Sequence, residues 1–205
     1  EMIKTVLPDE KEWKVIFTAP APENVTYLGR NHPFVSLLAQ FLLEEALTQN
    51  GGAHATRCGL IRSHAVDRRT SLLLMRLRFT LEEPERTPLL AEEVFVCGLR
   101  GFPPDRIEWV SEEEVFDLLQ WAKPEANISA AERQEVLDEV LGWWDSLKPQ
   151  LQSLIEKRAQ KLLDSHRRIR TSAHLYRRGL SIKPHLPPDL LGTLVLMPMP
   201  KGVSG

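Results

Sequence analysis

The chain has 205 residues, 42% of them hydrophobic and 26% charged, with a formal net charge of -2, values ordinary for a soluble globular protein. A chain of this size buries roughly 70% of its unfolded surface, so its core needs neither disulfide nor metal; Cys58 and Cys97 lack metal spacing and lie in apolar runs, which predicts free, buried thiols. No apolar run approaches the ~20 residues of a membrane helix and no signal-peptide pattern opens the sequence, so a cytoplasmic location is expected.

Residues 13–18 form a short strand candidate between lysine-rich and proline-rich flanks. The run Tyr27-Leu28-Gly29-Arg30-Asn31-His32-Pro33 then leads into a predicted helix carrying Phe34, Leu37, Leu38, Phe41, Leu42 and Ala46 at helical spacing. Asn31 is the expected N-cap, because its side-chain oxygen can accept a first-turn N–H, where Pro33 loses nothing by lacking one. Asn50-Gly51-Gly52 is expected to end the helix.

Residues 57–66 read as another strand, and Asp67-Arg68-Arg69 as the turn into a central pair spanning 71–99. Leu73, Met75, Leu77, Phe79 and Leu81 fall on one side of a period-two pattern, with Arg76, Arg78 and Thr80 on the other. Beyond a polar, proline-containing turn, Phe95, Cys97 and Leu99 share a face, opposite Glu92, Val94 and Val96. The pattern predicts a half-buried antiparallel pair with one face available to helices, and Glu92 as the cross-strand partner of Arg76 and Arg78.

Gly101-Phe102-Pro103-Pro104 reads as a loop. Ser111-Glu112-Glu113-Glu114 and Ser129-Ala130-Ala131-Glu132 are capping boxes, a hydroxyl and a carboxylate three residues apart that can satisfy each other's backbone donors. The first opens a short helix ending before Pro124. The second opens a long helical region over 129–178, in which Pro149 predicts a kink or two successive helices. Trp144 lies on its apolar stripe, while Trp143 forms either a second packing face, the expected role, or an exposed aromatic contact. Residues 180–183, a proline-rich corner and a last strand at 193–199 close the pattern.

The sequence contains no phosphate-cradling G-x-x-x-x-G-K-[ST], and H-E-x-x-H, G-x-S-x-G and paired C-x-x-C are absent too, which argues against an autonomous enzyme. His166 and His174, two helical turns apart, have no third ligand nearby, so no metal or cofactor is expected. Charge is segregated. Residues 148–183 hold ten lysines and arginines against Glu156 and Asp164, a local balance of +8. Within them, Lys157, Arg158, Lys161, Arg167, Arg168, Arg170, Arg177 and Arg178 are spaced over several helical turns and can follow a phosphate backbone. A solvated helix face is the alternative, although acidic partners four residues away are scarce, Asp164 serving only Arg168.

Three stretches, in order, carry a resemblance: the Tyr27-to-Val35 run with Leu42-Leu43-Glu44-Glu45-Ala46-Leu47, the leucine-rich strand pair with Leu90-Ala91-Glu92-Glu93, and Leu186-Pro187-Pro188-Asp189-Leu190-Leu191-Gly192. Together they resemble the region that follows the motor lobes in bacterial SWI/SNF-type, RapA-like ATPases, where a histidine-proline opens a helix and antiparallel strands, long helices and a closing strand follow. The resemblance implies a carboxy-terminal fragment of a larger DNA-translocating ATPase. The ATP- and magnesium-binding motifs of that family belong to its motor lobes, so no catalytic residue carries over, and His32 and Pro33 take a structural role.

The expected fold is a single α+β accessory domain over residues 1–205. In it an antiparallel sheet of about five or six strands packs against the helices from Asn31 and Ser129, with the long helical region of 129–178 near the C-terminus. The expected function is non-catalytic: contact with DNA or RNA, or coupling and regulation of the rest of the helicase motor. The alternative is a protein-protein module that docks the ATPase on RNA polymerase or another complex subunit. No membrane partner is expected.

Overall fold

A computed structural model describes residues 6–8, 12–29, 31–48, 55–103, 106–172 and 179–200, with the side chains of 169–172 outside that description. Two compact units divide the chain, Glu1–Arg57 and Cys58–Gly205. In the first, β1 (Val15–Ile16) runs parallel to β2 (Thr26–Tyr27), so only the middle of the 13–18 candidate pairs. The helix α1 (Pro33–Leu47) is capped by His32 rather than Asn31, Nδ1 accepting the Phe34 N–H at 3.2 Å. Pro33 occupies the first helical position, which puts the residue directly before it at the cap. Trp13 braces this start, edge-on to Phe34 at 5.2 Å between ring centroids, with its Nε1 donating to Thr26 Oγ1 at 3.0 Å. At the other end Thr48 closes the helix by returning its hydroxyl to the Glu44 carbonyl at 2.7 Å. The expected stop at Asn50-Gly51-Gly52 lies outside the described residues.

The second unit holds β3 (Cys58–Arg62), β4 (Thr70–Glu82), β5 (Leu89–Phe102), β6 (Arg106–Val110), α2 (Glu112–Trp121), α3 (Ala130–Gly142), α4 (Trp144–Ser172), β7 (Ser181–Pro184) and β8 (Asp189–Met197). Its strands form one sheet in the order β3-β8-β4-β5-β6, with β7 beside the far end of β4. The class is α+β, as the pattern predicts. The sheet is mixed rather than purely antiparallel, because β8 inserts between β3 and β4 and runs parallel to β3 while antiparallel to β4.

Alternation along β4 decides the core. Leu73, Met75, Leu77 and Phe79 are buried under the α4 stripe of Leu147, Leu151, Ile155 and Ala159, and the pairing Leu73↔Cys97, Met75↔Phe95 brings the apolar face of β5 to the same side. The opposite face is not simply open. Leu72 is 2% exposed beneath Val115 and Leu118 of α2, whereas Leu74, on the same face, is 37% exposed. A third cluster joins Leu60 and Val195 to Leu137 and Val140 of α3.

Three local expectations are revised. Gly101 and Phe102 belong to β5 rather than a loop and pair with Ile107 and Arg106 of β6, a strand the proline run conceals; Pro104 lies outside the described residues. Gly101 has φ +97°, and a Cβ there would come within 1.8 Å of the Arg106 carbonyl oxygen, so the turn demands glycine. The helical region breaks at Trp143 rather than Pro149, which sits inside α4 within two turns of its start and removes one hydrogen bond there. Both serine caps form, Ser111 Oγ accepting from Glu114 N at 3.2 Å and Ser129 Oγ from Glu132 N at 3.1 Å. The glutamates that would complete the capping boxes reach instead to Arg100 of β5 and Arg62 of β3.

The Leu77→Ala change removes a side chain that is 1% exposed and is expected to cost roughly 2–5 kcal/mol in urea unfolding. Arg76→Ala, on the open face, is expected to cost a small fraction of that; equal losses would assign the wrong face to the core. Gly101→Ala is expected to lower the midpoint as well, since both the backbone angle and the Arg106 carbonyl exclude a side chain.

Candidate nucleic-acid interface

The α4 helix carries most of the predicted basic residues. Its apolar stripe through Leu147, Leu151, Ile155, Ala159 and Leu163 is buried, which turns the intervening positions outward. Lys157, Lys161, Arg167 and Arg168 are all exposed. Asp164 stands among them, accepting from Gln160 Nε2 at 2.9 Å and lying 3.7 Å from the Arg167 guanidinium, while Arg168 reaches the Asp164 backbone oxygen and Ser165 Oγ, each at 3.4 Å.

Arg158 stands apart. It is half-buried, donates to Glu93 of β5, lies 3.5 Å from Glu112 of α2, and sits 5.6 Å from the centroid of the Phe95 ring. The hydrogen bonds to Glu93 hold its pKa above the ordinary arginine value despite the opposing effect of burial. Its structural work is to tie α4 to the sheet. Arg170 belongs to α4 by its backbone only, and Arg177 and Arg178 lie outside the described residues.

Between α4 and β5 runs an open groove of about 620 Å³, with Arg158, Lys161 and Arg168 along the helix wall, Ala91 and Glu93 on the strand wall, and Phe79 beneath. A narrower hollow of about 180 Å³ continues it past Phe95 and Cys97, sharing Arg158 and Lys161 with the first. Burial pushes the Cys97 thiol up to about 12, so it lacks a reactive thiolate at neutral pH. Neither cysteine is in a disulfide; Cys97 is buried, as the pattern predicts, whereas Cys58 is only half-buried. Among the described residues no three His, Cys, Asp or Glu side chains come together as a metal site, and no helix is long and apolar enough to cross a membrane.

Several charged contacts escape the sequence pattern, since each joins residues far apart in the chain. Arg69, 15% exposed, grips Glu139 of α3 with both terminal nitrogens at 2.7 and 3.0 Å and lies 4.5 and 4.7 Å from the ring centroids of Phe102 and Trp143. Trp143 thus packs, as its position predicts. On the open sheet face, Glu92 stands opposite Arg78 in register, yet Arg76 and Arg78 both bond to Asp189 of β8, at 2.8 and 3.4 Å. The Arg76 hydrogen bond is the main reason that the Asp189 carboxyl sits below its usual range.

A family model described as "Domain of unknown function (DUF8741)" matches residues 45–202. The chain belongs to the DUF8741 family. No curated protein and no solved structure matches it. The matched stretch of this DUF8741 chain runs from the last turn of α1 through β8, so it includes the whole sheet, α4 and the groove.

Hydrogen bonds from Arg69 lower the Glu139 pKa from the ordinary 4.5, against a smaller opposing effect of burial. A carboxyl lowered in the folded state binds fewer protons folded than unfolded, so its contribution is complete above the unfolded value and is lost as pH falls through the folded one. Glu125, lowered chiefly by the His64 backbone N–H, and Asp189 have the same sign. Urea midpoints are therefore expected to fall as pH drops through and below the ordinary carboxylate range, and to fall less steeply in Glu139→Gln. Parallel curves for the two proteins would remove Glu139 from the account.

Proposed function

We propose that this chain is a non-catalytic accessory domain that contacts nucleic-acid phosphates through α4, as part of a cytoplasmic bacterial SWI/SNF-type, helicase-like ATPase. The observation that carries the reading is the exposed set Lys157, Lys161, Arg167 and Arg168, spread along α4 with Glu156 and Asp164 as its only acidic neighbours from residue 148 to 172. The set spans about 16 Å of helix, long enough to meet several phosphates of one strand. The histidine-proline helix start, the antiparallel pair, the long helices and the closing strand support the assignment to that ATPase class, in the order the class implies. In such a protein the motor performs the ATP chemistry and this domain holds or senses the track.

A second reading, docking on RNA polymerase or another protein subunit, is favoured by a different observation. Leu90 and Val94 are 62% and 63% exposed on the open sheet face, where a soluble surface gains nothing from them. Salt separates the two readings. Phosphate contacts release counterions, so log affinity for duplex DNA is expected to fall with log salt, and Arg167→Glu with Arg168→Glu to flatten that slope by about two units and abolish binding near physiological salt. The fold should survive, because both side chains are exposed. No DNA binding by the unaltered chain at about 50 mM salt would overturn the nucleic-acid reading.

A further inference from the structure

Strand β5 has 14 residues and its neighbour β6 only 5. The pairing of β6 reaches from Phe102 back to Gly98 and stops there. The chain then turns away, because Ser111 caps α2 directly after Val110. Residues 89–97 of β5 are consequently paired on the β4 side alone; among the described residues no strand and no turn or loop backbone hydrogen bond reaches their other side. That edge is where an added strand would continue the line of β6, and the groove under α4 runs beside it from Ala91 to Cys97.

We propose that the outer edge of β5, residues 89–97, together with the α4 wall, docks an extended segment of a partner protein in which acidic side chains alternate with apolar ones. An extended segment is required because the unpaired amides and carbonyls of an edge strand are satisfied by another strand. Successive side chains of that strand point to opposite faces. Those on the α4 side meet Lys157 and Lys161, whereas the acidic groups nearest them, Glu93 and Glu112, are both engaged by Arg158, and Asp164 by Arg167, which favours carboxylates. Those on the other side lie next to Leu90 and Val94, the most exposed aliphatic side chains of the open face, which flank Glu92 and favour apolar residues beside them. The inference shares Lys157 and Lys161 with the phosphate contacts proposed above but is separable from them, since a nucleic acid cannot extend a β-ladder.

The test uses the full chain, isotope-labelled, and two fluorescent peptides, one alternating valine with glutamate and one alternating valine with lysine. Binding is read by fluorescence anisotropy, and hydrogen exchange of the β5 amides by NMR. The glutamate peptide is expected to bind at low salt and to slow exchange at every second residue within 89–97, the signature of a new ladder. Lys157→Glu with Lys161→Glu is expected to weaken it about tenfold without loss of the β4–β5 ladder. Arg167→Glu, at a phosphate-contact residue that lines neither hollow, is expected to flatten the DNA salt slope by about one unit and to leave the alternating protection in place, so failure of one reading is distinguishable from failure of the other. The proposal is overturned if the glutamate peptide does not bind, if the lysine peptide binds as well, if binding protects no alternating β5 amides, or if duplex DNA displaces the peptide and protects the same amides.

Discussion

The structure depends on the double register of β4. Along one edge it pairs with β5 from Thr70 to Leu81, and along the other with β8 and then β7. Because side chains alternate with period two, a slip of one residue on either side would carry Leu73, Met75, Leu77 and Phe79 away from α4 and put Arg76 and Arg78 beneath it. The β8 register shifts between Leu74 and Met75, β8 begins at Asp189 opposite Arg76, and the His185 N–H bonds the Arg78 carbonyl at 2.8 Å where β7 pairs instead. The proline-rich corner is thus a handover between two partners of one strand.

Arginine–carboxylate contacts between helices and sheet follow from that frame. Each sheet-facing helix is tied by at least one: Glu114 of α2 to Arg100, Glu132 and Glu139 of α3 to Arg62 and Arg69, and Arg158 of α4 to Glu93. Exposed pairs of this kind contribute little individually. Arg69 is the exception in kind, because two aromatic rings shield its guanidinium and Glu139 takes both terminal nitrogens, a geometry lysine could not reproduce.

The same architecture leaves β5 longer than its outer neighbour. A long, flat, apolar edge invites indiscriminate strand pairing, and charged residues together with a covering element are the usual protection. Glu92 and Glu93 lie midway along the open stretch, and α4 overhangs it with a basic wall. Two adjacent carboxylates within that stretch interrupt its apolar run and disfavour pairing with a second β5, which would bring like charges together.

The amino-acid pattern alone was sufficient for the elements whose cause is local. Alternation from Leu73 to Leu81 named the buried face of β4, Ser111 and Ser129 named two helix starts, and the apolar stripe of α4 left its cations outward. What tertiary structure decided has a common reason: each feature depends on a partner remote in the chain. The insertion of β8 between β3 and β4 made the sheet mixed, and Gly101 and Phe102 became strand only because β6 returns beside them. Asp189 drew Arg76 and Arg78 away from Glu92, and Glu93 drew Arg158 off the basic row, because a guanidinium goes to the carboxylate that packing brings within reach. The open edge of β5 is of the same sort, since no residue in a strand records whether its other side will be paired.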